Sequence, residues 1–307
     1  MLNVICSAMG PIIFVLAIGF FCGKKNYFSE EATQAFASFV VNIALPLALF
    51  LAAATVSPNV LLNGKYFLSI AVGLIVTFII GLLCSRLLFK HNTKDSAGQA
   101  LAVSFPDMAY CGPPVLLATV GSSGLISMVI GNIIYTVIII PVVMLLLSRD
   151  TGNVSIISTL KSAVQKPLVI LPVLGAILAI SGIKLPKIVY DSVDEAGKCA
   201  GGVALFFLGL MIARIKLKAN TEIIFNVFIK NFLQGALILG TGLLLGLDHE
   251  LLKAAFVIGF LPTATAVPAI CITSKAYVEN SASTVLLSTL CSFVTIIIGI
   301  IIIETCL

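Results

Sequence analysis

The segment SFPDMAYCGPPV, residues 104–115, places an acid and three prolines inside an apolar run long enough to be one helix. A second run, GFLPTATAVPAI at 259–270, is interrupted in the same way. Pro106, Pro113 and Pro114 in the first run, and Pro262 and Pro268 in the second, lack a backbone N–H and clash with the preceding turn. Neither helix is therefore expected to continue through these segments. In a membrane, the freed carbonyls and N–H groups are tolerated only where protein buries them or a wet cavity lines them. If the breaks cross, the half-helices beyond them turn free N–H groups and positive dipole ends toward the midplane, which is a site for a carboxylate. Thr263 and Thr265 add hydroxyls. Gly112, with Ala109, Ala264 and Ala266, lets a ligand approach the backbone, and Met108, Tyr110, Pro113 and Pro268 complete the expected lining. The alternative is a pair of proline kinks absorbed by packing.

Asp107 is the acid placed near the centre of a span. A carboxyl there costs on the order of 3 kcal/mol on insertion scales, which makes it a functional residue by default. It could carry a coupling proton or, ionised, coordinate a cation such as Na+; it could also cap the half-helix that follows. An ionised Asp107 would repel a carboxylate, so binding should require it protonated or paired with a cation.

The elements that must position these residues are membrane helices. The chain has 307 residues, 60% hydrophobic and 10% charged, with a mean hydropathy of +1.17, against about 25% charged in soluble domains. Apolar runs fall at roughly 3–23, 32–55, 66–89, 97–120, 124–147, 167–184, 197–214, 224–246, 251–274 and 281–303, each near the ~20 residues that a span needs. The first run lacks a basic leader and is followed by Lys24 and Lys25, so it is expected to be retained rather than cleaved as a signal peptide. With the N-terminus outside, thirteen of the eighteen basic residues collect at inner ends and loops, which sets both termini outside. This asymmetry explains the net charge of +5 without nucleic acid as a partner. The eight cysteines are scattered, with no C-x-x-C pair or Cys/His cluster; they read as small apolar residues, and no metal or cofactor is expected.

Sliding the second half over the first by 156 residues lays Pro11 on Pro167, Gly19 on Gly175 and Ala48-Leu49-Phe50 on Ala204-Leu205-Phe206; at 155, Phe105 meets Phe260 and Pro113 meets Pro268. The expected fold is thus an all-α integral membrane protein of about ten helices in a 5+5 inverted repeat: residues 1–148, a cytoplasmic linker at 149–166, and 167–307. Helices 4 and 9 are the broken, crossing pair. Inverted repeats are how many secondary transporters are built, with the interrupted segments marking the binding site.

Other polar residues carry weaker signals. Asn42, just before Pro46, suggests a softened helix packed against the crossing, or equally an interhelical hydrogen bond. Asn132 and Tyr135 could face the cavity. Lys230 is expected to snorkel to the inner surface, and His91 and His249, in loops, are given no role. The Gly-x-x-x-Gly spacings at Gly19/Gly23, Gly197/Gly201 and Gly242/Gly246 fit close helix contacts within the chain and also permit a homodimer.

Ten spans, a 5+5 repeat and the stretches NIALPLALF (42–50), FPDMAYCGPPV (105–115), GGVALFFLGLMIA (201–213) and LPTATAVPAICITSKAY (261–277) resemble the auxin efflux carrier family of secondary transporters over the whole chain. The resemblance implies a scaffold part and a transport part that slide past each other, with substrate held where spans 4 and 9 cross. Family members often carry an amide where this chain has Asp107, and some have Asn where Thr263 and Thr265 stand. Auxin specificity therefore does not transfer. The short central linker favours a bacterial carrier, in the inner membrane, of a small organic anion such as malonate or malate. A sodium-coupled symporter resembling the bile acid carriers, or a ligand sensor that does not transport, shares the same plan. A hydrolytic enzyme would need a nucleophile–base pair, paired intramembrane acids or a metal motif, and TVGSS at 119–123 lacks the form of a potassium filter.

Overall fold

In the computed structural model, residues 2–121, 124–148, 165–214 and 219–306 are described, and all of their regular structure is helical. Most of the connection expected at 149–166, with Arg149 and Lys161, lies outside these residues, as do Lys216 and Lys218. Among the described residues, six helices are long and apolar enough to cross a membrane. These are α2 (Glu30–Thr55), the run Pro58–Leu87 that contains α3 (Gly64–Leu87), α6 (Gly124–Leu147), α8 (Lys187–Arg214), α9 (Thr221–Leu244) and Val278–Ile303 within α12 (Val278–Cys306). Helix α1 (Leu2–Lys24) and α7 (Pro167–Ser181) are also apolar; the part of α1 from Gly10 to Lys24 and the whole of α7 fall short of that length. The two proline-rich runs are divided, the first into α4 (Thr93–Ser104) and α5 (Gly112–Thr119), the second into α10 (His249–Phe260) and α11 (Ala266–Ser274). Helices α4 and α10 both have twelve residues, and they begin and end 156 residues apart, at 93 and 249 and at 104 and 260.

Local chemistry sets the helix starts. Asn92, Asn220 and Asp248 each accept a backbone N–H from the first turn of α4, α9 and α10, the preferred N-cap arrangement. The prolines divide into two roles, which corrects the expectation that all five interrupt a helix. Pro106 and Pro262 lie in the breaks. Pro113, Pro114 and Pro268 lie in the first turn of α5 and α11, where the missing N–H would have had no helical partner anyway. Among the described residues, three helices also contain one widened turn, at Val40–Ala44, Tyr135–Ile139 and Ile229–Leu233. The first two precede Pro46 and Pro141; the third has no proline after it.

The chain packs as two compact units, each drawing on both halves of the sequence. One comprises 1–64, 108–130 and 165–214. In it α1 lies on α8 and α7 on the second part of α2, and Phe28, Phe36 and Phe206 meet edge to face. Gly19 of α1 rests on the backbone of Phe206 and Gly209 of α8 on that of Leu16, so a side chain at either would collide with main chain. The other unit comprises 65–107, 131–164 and 215–307. In it α9 and α12 pack together, and both contact α4 and α10. Phe14, Phe21, Leu83 and Leu244 are large apolar side chains left exposed, as a lipid-facing surface requires.

Candidate functional site

The two breaks meet within the second unit. Pro106 and Thr263 form an antiparallel bridge, flanked by hydrogen bonds from the Asp107 N–H to the Pro262 carbonyl and from the Ala264 N–H to the Phe105 carbonyl, both 2.8 Å. Pro106 cannot donate to the Ala102 carbonyl, four residues back. The Thr263 hydroxyl donates to that carbonyl instead, at 2.8 Å. Pro262 likewise cannot donate to Ile258, whose carbonyl takes the Leu261 N–H at 3.2 Å in a tighter turn. Each terminal carbonyl of the two half-helices is then met by α9: Ser104 accepts from Gln234 Nε2 and Leu261 from Lys230 Nζ, both 2.6 Å. Buried backbone groups need partners, and the breaks find theirs in side chains distant in sequence.

Lys230 does not snorkel. Its side chain is fully buried and its ammonium sits on the break. A buried ammonium without compensating partners costs several kcal/mol, so the lysine belongs to the polar arrangement it enters. Asn231, next to it in the widened turn Ile229–Leu233, donates to the Ser288 carbonyl at 3.0 Å and accepts from the Ser288 hydroxyl at 2.6 Å. Ser288 Oγ in turn receives the Thr263 N–H at 3.0 Å. Tyr135 stacks on Phe105, with ring centroids 4.1 Å apart, and donates to Ser104 Oγ at 2.8 Å. Among the described residues, three side-chain amide atoms are buried without a hydrogen-bond partner: Gln99 Oε1, Asn132 Nδ2 and Gln234 Oε1.

Asp107 is buried, 1% exposed, and Thr263 is wholly buried; both are at the bridge. Thr265 is half-buried just before α11, with no capping bond from its hydroxyl, and Pro268 is half-buried in the first turn of that helix. In the other unit, Met108, Gly112 and Pro113 are buried, and the Tyr110 ring packs on Phe207 at 4.6 Å. Pro113 and Pro114 bring no N–H to the first turn of α5, which leaves it poorer in donors than expected. Asn42 is exposed, and its amide donates to Ser38 Oγ one turn back, at 3.1 Å, a bond within its own helix rather than between helices.

The sequence assigned Lys230 to the inner surface and drew no attention to Asn231, Gln234 or Ser288. The available signal was three polar side chains within KNFLQ (230–234), inside an apolar span. His91, given no role from sequence, has its Nε2 2.8 Å from Glu222 Oε1. The Tyr277 hydroxyl donates to that same oxygen at 2.7 Å and accepts from Asn226, and Asn226 Oδ1 accepts from Gln99. Tyr277 precedes α12 with φ +53°, its N–H held by Asp95 at 2.7 Å. Burial, then the Glu222 carboxylate, push its hydroxyl well above the ordinary phenol value.

An apolar helical chain that encloses two paired breaks and a buried lysine and aspartate has the makings of a membrane transporter. The comparisons agree: the chain belongs to the membrane transport protein family, the auxin efflux carrier family, which it matches over residues 4–300. It is 31% identical over 272 residues to the uncharacterized transporter YfdV of Escherichia coli strain K12, with 86% of each chain covered. The YfdV proteins of Escherichia coli O157:H7 and Shigella flexneri match to the same extent.

Proposed function

We propose that this protein is a secondary carrier of a small organic anion, a mono- or dicarboxylate such as malonate or malate, working by alternating access where spans 4 and 9 cross. In this reading the chain makes ten spans in a 5+5 inverted repeat, with α4 and α5 counted as span 4 and α10 and α11 as span 9. It resides in a bacterial inner membrane with both termini outside. The observation that carries the proposal is the bridge between the two breaks, with Asp107 buried beside it. A polar crossing of this kind is costly in a membrane and is found where solutes or ions pass. Asp107 has the role of coupling residue, neutralised by a proton while the anion is bound.

The test is uptake by purified protein in liposomes of labelled malonate, malate, a monocarboxylate and an indole acid, with a pH gradient imposed or collapsed. Gradient-dependent accumulation of one acid is expected. Binding of an acid without accumulation would replace the carrier with a sensor, and absence of both would overturn the proposal.

A further inference from the structure

The ends of α4 and α10 make a place that calls for positive charge. Each half-helix stops at the break with its negative dipole end there, and the terminal carbonyls of Ser104 and Leu261 are both turned to α9. The carboxylate-bearing Asp107 is anchored by its N–H to the Pro262 carbonyl, the next one along from Leu261. Gln234 Oε1, one helical turn from Lys230, adds a buried acceptor that receives no donor. In broken-helix carriers, unwound carbonyls and half-helix C-termini of this sort hold the coupling Na+. Here a side chain of the protein occupies that position, with Lys230 Nζ 2.6 Å from the Leu261 oxygen.

We propose that Lys230 is a resident cation: it fills the cation position of the crossing, so that the carrier works without Na+. An ammonium offers three donors, no acceptor and a single positive charge, which answers carbonyls as an alkali ion would. Because it is tethered, it does not dissociate into either compartment. It therefore transmits no sodium gradient to the substrate. Removal of the ammonium without filling its space leaves the Leu261 carbonyl facing a vacated cation position at the break, with the unpartnered Gln234 Oε1 on the same helix, and a free Na+ would enter it.

The inference rests on the carrier reading for its transport consequence but not for its binding consequence, and the two are tested separately. Thermal unfolding of the purified protein is followed in NaCl and in choline chloride at equal ionic strength, for the wild type, Lys230→Asn, and Lys198→Asn as a control at an exposed lysine. The wild type and the control should melt alike in both salts, while Lys230→Asn should melt several degrees higher in NaCl. In liposomes, wild-type uptake should be the same in both salts. A wild-type chain stabilised by Na+, or one that takes up its acid only with Na+, overturns the proposal, and so does a folded Lys230→Asn chain indifferent to Na+. If that variant does not fold, the wild-type melting comparison still decides. Absence of uptake in either salt counts against the carrier reading and leaves the melting result to judge Lys230.

Discussion

Thr263 offers a quantitative test of how the breaks are held. Its hydroxyl supplies the Ala102 carbonyl with the donor that Pro106 lacks, so Thr263→Val keeps the side-chain shape and leaves a buried carbonyl unpartnered. That costs about 2 kcal/mol, or roughly 3 °C in melting temperature for a chain of this size. Thr263→Ser keeps the hydroxyl and loses one methyl, about 0.8 kcal/mol, so serine should be the milder change. In a Pro106→Ala background, the new N–H at position 106 can serve Ala102 within the helix. The cost of valine should then fall below about 0.5 kcal/mol, and the order should reverse, with serine now the worse substitution. The chain has no tryptophan, so unfolding is best read with a fluorogenic thiol probe that reports exposure of Cys111 and Cys271, both buried. Equal costs for valine in the two backgrounds would refute the claim that the hydroxyl replaces the missing proline N–H.

Asp107→Asn should retain near-wild-type melting and lose the response of uptake to an imposed pH gradient; an undiminished response would remove Asp107 as the coupling residue. A methyl added to Gly259 would lie 2.7 Å from the Gly235 nitrogen, well inside the ~3.5 Å of ordinary contact, and helix backbone cannot rotate away. Gly259→Ala should therefore cost about 1–3 kcal/mol, whereas Gly240→Ala, with nothing within 4 Å, should stabilise by about 0.5–1 kcal/mol; melting curves of the pair with the same sign would contradict this packing. The raised Tyr277 hydroxyl contributes stability that is complete below the unfolded phenol value of about 10. That contribution is lost as pH rises toward the folded value, because the unfolded chain ionises first. Tyr277→Phe should flatten the alkaline fall in melting temperature above that pH, and an identical fall in the variant would show that Tyr277 does not cause it.

What the sequence disclosed about the site followed from backbone chemistry. Proline cannot donate, and an acid does not enter a bilayer idly; those two facts locate Pro106, Asp107 and Pro262 without coordinates. Side-chain direction was harder to read. Lys230 lies near the end of an apolar run, where a long basic side chain normally reaches the surface, and counting charges assigned it there. The widened turn at Ile229–Leu233 adds a residue to the helix, about 100° of rotation, and no proline announces it as Pro46 and Pro141 announce the other two. Lys230, Asn231 and Gln234 are consequently turned toward the break by a feature with no signature in residue type. The prolines misled in one respect: Pro113, Pro114 and Pro268 read as breakers, although they stand where a helix begins.

The partner of the Ala102 carbonyl lies 161 residues further along the chain. At roughly 5–20 residues per second, a ribosome needs on the order of ten seconds or more after making α4 to deliver Thr263, and Ser288 follows later still. During that interval the nascent first half has a break whose carbonyls have nothing of their own chain to bind. Biogenesis must keep that segment wet, or shelter it in the insertion machinery, until the second break arrives. A chain truncated before residue 263 would expose this segment as a signal for membrane quality control.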